Sequence, residues 1–263
     1  PGKQFLCKKG VRQGDPLSPL IFVLAADLLQ TMMNAAMQNS LISSPLQHTS
    51  CPDYPIIQYA DDTILVVNAE ARQLTHIKSL LLHFAAYTGL KVHYSKSTMI
   101  SINTPEDKKI QLSQLLGCNI GTLPHTYLGL PLSITKPRVI DYLPMLKKTE
   151  TRLLSCSTLL STGDKLTLIK SVFTSMPTFF MCTLWIPKAV VKQINTYLMN
   201  CFWRKFGTRG RGAVLVSWKK VCRPKSHGGL GILDIHKHNQ ALLTKFLHKL
   251  FNKAGTPWVK IIW

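Results

Sequence analysis

The sequence predicts an α+β fold: antiparallel sheet elements packed with helices in residues 1–135, then a mostly α-helical basic region in residues 136–263. Three observations carry this prediction. Hydrophobic residues make up 46% of the 263 residues, which is ample for a packed core. Residues 56–101 pass from β-branched runs to helical spacing and back. Beyond residue 136 apolar residues recur at helical spacing, and basic residues become dense.

The charge is distributed unevenly along the chain. The net charge is +20. Residues 1–135 hold 10 basic and 8 acidic side chains, net +2, whereas residues 136–263 hold 22 and 4, net +18. This excess predicts a polyanionic partner, nucleic acid before a membrane surface.

The run that we take as the longest apolar one, near residues 166–186, is interrupted by Lys170 and Pro177. A helix that spans a membrane needs about 20 predominantly apolar residues. The run therefore predicts a buried helix that ends at the proline, and we expect no membrane partner.

Cysteine usage indicates a reducing compartment. The seven cysteines are an odd number without a CxxC pair, which favours an intracellular protein of the nucleus or cytoplasm over a secreted one. Cys222, His227 and His236 offer zinc-ligand atoms, but their spacing fits no strong template. The sequence shows no signal peptide and begins at Pro1, so we expect a piece of a longer protein.

Residues 8–38 are predicted to form a loop that runs into a helix. Ser18 is placed to cap the helix, Pro19 suits its first turn, and the dense apolar residues that follow predict burial. In the loop RQGDP, Gly14 either makes a simple turn or lets a base pair or phosphate approach the backbone, with Arg12 and Gln13 as donors. From the loop alone both explanations stand equally.

Residues 54–68, YPIIQYADDTILVVN, are two β-branched runs that meet at Asp61 and Asp62 and predict a hairpin. Two anions about 4 Å apart repel by roughly 1 kcal/mol in water and roughly 4 kcal/mol at a protein surface. A solvated turn is the ordinary explanation of such a pair. The apolar flanks favour a second one, a divalent cation such as Mg²⁺ held by the two carboxylates.

The remaining elements are predicted from the spacing of apolar residues and from the glycines and prolines that interrupt regular structure. Residues 74–85 predict a helix that Gly89 terminates, residues 91–103 a strand, and residues 124–134 a short hairpin around Gly129. Residues 139–153 and 190–202 predict helices, the second one opened by Pro187. The stretch GTRGRG, residues 207–212, predicts an exposed flexible loop.

Four of these motifs occur in one order: GVRQGDPLSPLIF, YADD, GLKVHYSKS and YLGLPL. In order and spacing they resemble the reverse transcriptases of non-LTR (LINE-type) retrotransposons of plants. LIKSVFTSMPTFFM, SWKKVCRP and GGLGI also resemble the region that follows the polymerase core in those elements. The resemblance implies an RNA-directed DNA polymerase that uses Mg²⁺, or Mn²⁺, with an RNA template, a DNA primer or target and dNTPs as partners.

The resemblance also implies residue roles. Asp61 would be an essential ligand of the catalytic metal ions, with Asp62 a less indispensable neighbour. Tyr59 and Ala60 would seat the turn near the primer end, and Lys96 would lie near the leaving pyrophosphate. Arg12, Gln13 and Gly14 would lie against the template and the incoming nucleotide. The hairpin that grips the primer would be formed by Tyr127, Leu128, Gly129, Leu130 and Pro131.

The chain also departs from the family pattern. His93 stands where asparagine is usual and is expected to lose a local hydrogen bond, and Asp164 stands where glycine is common. The family holds its metals with three carboxylates, and the third lies on a strand upstream of RQGDP, where this chain has none. We therefore expect residues 1–135 to be a partial polymerase palm, residues 136–263 to be thumb-like, and the chain alone to be inactive. The alternative is a non-catalytic nucleic-acid-binding remnant or coopted protein.

Overall fold

A computed structural model describes residues 10–12, 14–46, 53–154, 160–203 and 214–262 of the chain. The described residues divide into two compact units, one up to Thr122 together with Gly255 onward, the other from Leu123 to Ala254. The boundary predicted after residue 135 stays a prediction. Residue Gln13 and the stretch at 207–212 lie outside the described residues.

The first unit alternates helices with short strands. Its elements, in chain order, are α1 (Ser18–Gln38), β1 (Ile56–Tyr59), β2 (Asp62–Leu65), α2 (Ala71–Thr88), a 3₁₀ turn (Tyr94–Lys96), β3 (Thr98–Ile100), α3 (Glu106–Leu116), β4 (Asn119–Gly121) and α10 (Pro257–Ile262). Strands β1 and β2 pair antiparallel, and β3 pairs with β4 in parallel. Among the described residues each pair is a separate two-stranded sheet.

The second unit is mostly helical. Its elements are β5 (His125–Tyr127), β6 (Leu130–Leu132), a 3₁₀ turn (Val139–Tyr142), α4 (Leu143–Leu154), α5 (Thr162–Leu168), a π-helical segment (Ile169–Phe173), α6 (Thr178–Met181), α7 (Lys188–Trp203), α8 (Trp218–Val221), a 3₁₀ turn (Lys225–His227) and α9 (Ile235–Phe251). Strands β5 and β6 form an antiparallel hairpin. The α+β prediction is confirmed.

Each unit has its own apolar core. In the first, Leu29 and Met33 of α1 pack against Ile77, Leu81 and Phe84 of α2. Gly89 ends α2 in the left-handed conformation, and its N–H donates to the carbonyl of Ala85, as the sequence predicted.

In the second unit the core joins the 3₁₀ turn, α4, the π-helical segment and α7. Its buried residues include Tyr142, Leu146, Phe173, Ile194 and Leu198. The predicted apolar face of α7 is confirmed, because Val190, Ile194, Leu198 and Phe202 are buried. For residues 139–153 the predicted apolar face is only partly right, since Val139 in the 3₁₀ turn and Leu143 at the start of α4 are exposed.

The expectation that α1 is a buried helix is wrong for its N-terminal half. Only Leu29, Met33 and Ala36 are buried, and they form one stripe at i, i+4 and i+7 on the C-terminal half. Leu24 remains 72% exposed. Ser18 is the first helical residue rather than the cap, and its hydroxyl donates to the Arg12 carbonyl. Pro19 does lie in the first turn.

By length and composition α1 is long and apolar enough to cross a membrane, and 17% of its most apolar 18-residue stretch is buried. Such a helix is weak evidence for a span, because core helices and signal sequences pass the same test. Asp27 lies in the middle of α1 and is exposed. An aspartate at the centre of a spanning helix costs roughly 2.5–3.5 kcal/mol.

Two further expectations are corrected. The apolar run from residue 166 is not one helix ending at Pro177, because the backbone changes to π-helical spacing at Ile169–Phe173 and Pro177 caps the short helix α6. Residues 91–103 are not one strand, since a 3₁₀ turn occupies Tyr94–Lys96 before β3. Serine and histidine hydrogen bonds within that turn compete with an extended ladder.

Candidate active site

The paired aspartates lie at the tip of the β1–β2 hairpin. Tyr59 and Asp62 are opposite one another in the register, so Ala60 and Asp61 form a two-residue turn. Ala60 adopts a positive φ of 49°, which for a residue with a Cβ costs about 1–2 kcal/mol. Asp61 and Asp62 are both exposed. Solvent therefore screens much of the repulsion between them.

The two carboxylates occupy different places on the hairpin. Residues opposite one another in a register share a face, so Asp62 lies on the face of Tyr59, and Ile57 lies two residues along on that face. This face is open, since Ile57 is 55% and Tyr59 62% exposed. The other face carries Ile56 and Leu65, which pack against the core. The hairpin thus presents an apolar face and both aspartates to solvent.

A polar clamp from α1 holds the start of this hairpin. The Asn34 carboxamide oxygen accepts from the Tyr54 N–H at 2.8 Å, and its nitrogen donates to the Asp53 carboxylate at 2.8 Å. Gln30 Nε2 donates to both the Asn34 oxygen and the Tyr54 carbonyl at 3.0 Å. Sequence reasoning did not single out Gln30 and Asn34. The sequence feature that could have indicated them is the spacing of two amide side chains at i and i+4 on an otherwise apolar helix.

The loop before α1 is ordered by its own backbone. Gly14 has a φ of 88°, in the left-handed region. The Asp15 N–H donates to the Arg12 carbonyl, and the Leu17 N–H donates to the Asp15 carboxylate at 2.9 Å. Asp15 therefore orders the turn that leads into α1, while the Arg12 side chain is exposed.

Lys96 is exposed at the end of the 3₁₀ turn Tyr94–Lys96. Asn119 Nδ2 donates to the Ser95 carbonyl at 3.0 Å, which ties this turn to β4. The ring of Tyr94 packs beneath the ammonium of Lys78 at 5.6 Å, and burial raises the pKa of its phenol. In the part of the chain that the structure describes, no ion pair joins Lys96 to Asp61 or Asp62.

His93, which stands where the family usually has asparagine, makes a local hydrogen bond in this turn. The His93 ring nitrogen Nδ1 and the Ser95 hydroxyl are 3.0 Å apart, and the His93 carbonyl accepts from both Lys96 and Ser97 N–H groups. His93 thus makes a local hydrogen bond of its own through an imidazole nitrogen, and the expected loss of the bond that asparagine would make stays a prediction.

The predicted primer-gripping residues form a hairpin in the second unit. Leu128 and Gly129 are its two turn residues, both with positive φ, and Tyr127 is opposite Leu130 in the register. Pro131 pairs with Thr126. The ring of Phe179 lies 3.9 Å from the position that a Cβ on Gly129 would take. Sequence reasoning did not single out Phe179, which lies in an apolar run that predicted only a core helix.

The hairpin fits a divalent metal in ligand type but not in number. Carboxylate oxygens are the ligands that Mg²⁺ prefers, usually one or two from the protein together with substrate phosphates. Within the described ranges no group of three or more His, Cys, Asp or Glu side chains is placed to hold a metal ion. Because no such group occurs among the described residues, the structure does not support Cys222, His227 and His236 as zinc ligands.

Comparison with known proteins defines the class. The family described as reverse transcriptase (RNA-dependent DNA polymerase) matches residues 1–132. This is half of the 263 residues and includes the RQGDP loop, the β1–β2 hairpin, Lys96 and the β5–β6 hairpin. The chain therefore belongs to the reverse transcriptase family.

Two relatives come from Arabidopsis thaliana. The chain is similar to "Putative ribonuclease H protein At1g65750", with 31% identity over 103 residues, 39% of this chain and 16% of the relative. It is also similar to "Uncharacterized mitochondrial protein AtMg00310", with 31% identity over 83 residues, 31% of this chain and 53% of the relative. The similarity thus spans about one sixth and about half of these relatives' own lengths.

Proposed function

We propose that this chain is part of the RNA-directed DNA polymerase of a LINE-type retrotransposon and that the β1–β2 hairpin is its catalytic element. One observation carries the proposal: in a chain of the reverse transcriptase family, a tight turn presents two adjacent carboxylates to solvent. Two adjacent carboxylates beside an incoming phosphate would repel it unless a cation lies between them.

The hairpin geometry favours unequal roles for the two aspartates. Asp62 belongs to the ladder of β2 and shares the face of Tyr59, whereas Asp61 is the second turn residue. Successive residues near a strand leave the backbone in opposite directions, so the two carboxylates occupy different positions. On the ground of the family resemblance we assign the essential metal ligand to Asp61, with Asp62 its less indispensable neighbour and with Tyr59 and Ala60 setting the turn against the primer end.

The other site residues bind and orient substrates in this proposal. Arg12, Gln13 and Gly14 contact the template and the incoming nucleotide, and the Lys96 ammonium neutralises the leaving pyrophosphate. Tyr127, Leu128, Gly129, Leu130 and Pro131 hold the primer strand. Mg²⁺ or Mn²⁺, when bound at Asp61 and Asp62, supplies electrostatic stabilisation of the attacking and leaving oxygens. The partners are thus an RNA template, a DNA primer or target and a dNTP, inside the cell.

We also propose that the 263-residue chain does not polymerise DNA by itself. The hairpin offers two ligand groups, and the described residues bring no third one beside them. Two-metal nucleotidyl transfer needs ions held about 3.5–4 Å apart, which two carboxylates do not fix well.

The test combines metal binding with primer extension. Mn²⁺ binding is followed by electron paramagnetic resonance in the presence of an oligo(dT) primer on poly(rA) and dTTP. We expect Mn²⁺ binding that Asp61→Asn weakens at least about tenfold, whereas Asp107→Asn, an exposed carboxylate on α3, has no effect. Equal binding by both variants would overturn the metal site. DNA synthesis that requires Asp61 would overturn only the inactivity of the isolated chain.

The net charge of +18 on residues 136–263 favours a second candidate, a nucleic-acid-binding protein without catalysis. A remnant or coopted protein of this kind would bind RNA or DNA tightly at low salt. It would show no effect of Asp61→Asn on Mn²⁺ binding, which separates it from the polymerase.

A further inference from the structure

Residues 217–231, SWKKVCRPKSHGGLG, form a compact basic segment in the second unit. The segment contains no acidic residue, and it lies outside residues 1–132, which match the reverse transcriptase family. Its four strong cations are Lys219, Lys220, Arg223 and Lys225, and all four are exposed. Four exposed cations within seven residues form a concentrated positive surface, which attracts a polyanion.

The backbone of the basic segment is closed by hydrogen bonds. The Gly229 N–H donates to the Pro224 carbonyl at 3.1 Å, and the Gly231 N–H donates to the Arg223 carbonyl at 2.9 Å. A Cβ on Gly229 would lie 2.1 Å from the Arg223 carbonyl oxygen, so only glycine allows this close approach. A preordered backbone lowers the entropy that its cations lose when they bind a ligand.

Two core contacts anchor this backbone. Val221 is buried in the apolar core, and the Trp218 indole N–H donates to the Asn195 side chain on α7 at 3.2 Å. Trp218 packs against that core and so offers no exposed aromatic ring of the kind that anchors proteins at a membrane interface. The four cations remain exposed around this anchored backbone.

A fifth cation reaches the segment from a distant part of the sequence. The Lys170 ammonium, on the π-helical segment, lies 3.6 Å from the position that a Cβ on Gly231 would take. The side chain of Lys225 lies 3.7 Å from the same position. The Lys225 atom at that distance is its Cγ, so the two side chains meet at Gly231. Lys170 is half-buried, and its ammonium forms no ion pair or hydrogen bond within the described part of the chain. Solvent screens a half-buried ammonium less than an exposed one, so Lys170 attracts a nearby anion more strongly than a fully exposed lysine would.

We propose that the basic segment, together with Lys170, binds the phosphate backbone of a nucleic acid. Several phosphates spaced along a strand match several cations spread over a rigid segment, whereas one isolated anion would engage only the pair at Gly231. Contacts to phosphate oxygens carry no sequence information, so we expect this binding to show no sequence preference. It does not rest on the proposed polymerase function, since neither the hairpin nor a metal takes part.

The expected effect follows from counterion release. The slope of the log binding constant against log salt is negative, and each phosphate neutralised increases its magnitude by about 0.9 on duplex DNA and by about 0.7 on a single strand. The slope changes below refer to this magnitude. If all four exposed cations contact phosphates, their removal lowers the slope by about 3.6 on duplex DNA. Lys170→Gln alone lowers it by about 0.9.

The experiment measures the binding of the full chain to labelled nucleic acids by fluorescence anisotropy. The ligands are duplex DNA, single-stranded RNA and an RNA–DNA hybrid, and the salt concentration is varied from about 50 to about 300 mM. The test variant is Lys219→Gln, Lys220→Gln, Arg223→Gln and Lys225→Gln combined. The matched control combines Lys147→Gln, Lys148→Gln, Lys188→Gln and Lys192→Gln, exposed lysines of α4 and α7 in the same unit. Both variants lose the same charge.

We expect the test variant to lose the calculated slope while the control loses at most about 1. Replacement of the three segment lysines by arginine should retain binding, which also separates a lost contact from a lost fold. Equal losses in test and control would overturn the site, because net charge alone would then explain binding. A second assay measures binding of both variants to vesicles of phosphatidylcholine with phosphatidylserine. The proposal would also be overturned if the test variant kept its nucleic-acid binding and lost only its binding to these vesicles. A preference for RNA, DNA or hybrid identifies the strand it binds.

Discussion

Asn239 of α9 carries the clearest single stability prediction of the second unit. The side chain is 1% exposed and satisfies three backbone groups at the turn between α6 and α7. Its oxygen accepts from the Ile186 N–H at 3.0 Å, and its nitrogen donates to the carbonyls of Met181 and Leu184 at 2.9 Å. Replacement by leucine keeps the branched shape but removes every one of these bonds.

The magnitude follows from the groups left behind. Ile186 and Met181 are themselves buried, so water does not replace the lost partners readily. An unsatisfied buried N–H costs about 2 kcal/mol and each carbonyl about 1 kcal/mol, which gives about 4 kcal/mol for Asn239→Leu. At a urea dependence of about 3 kcal/mol per molar, the unfolding midpoint falls by about 1.3 M.

The assay is urea unfolding followed by tryptophan fluorescence, and three of the five tryptophans, Trp185, Trp203 and Trp218, lie in the second unit. The control is Gln240→Leu, an exposed residue one position along the same helix, which should change the free energy of unfolding by less than about 0.5 kcal/mol. If both variants unfold at the same urea concentration, the three hydrogen bonds do not hold α9 against the α6–α7 turn, and the reasoning fails.

Three further changes test the positioning elements. Asn34→Ala should cost about 1–2 kcal/mol and speed hydrogen exchange of the Tyr54 amide by roughly 5–30 fold, because that N–H loses its acceptor; unchanged exchange would contradict the clamp. Gly229→Ala should cost about 2–3 kcal/mol, since its Cβ would meet the Arg223 carbonyl at 2.1 Å, whereas Gly163→Ala, with 3.7 Å to its nearest neighbour, should lower the thermal midpoint little or not at all. Burial raises the pKa of Tyr54 from 10.0 to about 12, so its stabilising contribution is complete below pH 10 and is lost as the pH rises towards 12. Tyr54→Phe should therefore lose less stability over that interval than the wild type, by at most about 2.7 kcal/mol in chemical unfolding at each pH, and equal losses would refute a buried phenol.

The departures from the family pattern have local structural explanations. Asp164 lies in the first turn of α5, where its N–H donates to the Ser161 hydroxyl oxygen and its carboxylate accepts from the Ser161 N–H. This reciprocal arrangement is a capping box, which glycine cannot form. His93 bonds within its own turn. Both changes therefore act on local backbone order and leave the paired aspartates untouched.

By itself the sequence determined the local features whose cause lies within a few residues. The β1–β2 turn at Asp61, the end of α2 at Gly89 and the β5–β6 turn at Gly129 were all predicted, because β-branched alternation and left-handed glycines act locally. The motif order also predicted the reverse transcriptase family, which the match over residues 1–132 confirms.

Only the tertiary structure decided which apolar faces are covered and which polar groups meet across long separations. An apolar pattern indicates that a face can be buried, but α1 shows that burial also needs packing partners, since Leu24 stays 72% exposed. The contact of Asn239 with Ile186, and the approach of Lys170 to Gly231, join residues more than fifty positions apart. Such contacts depend on the packing of whole helices, and no local pattern encodes them.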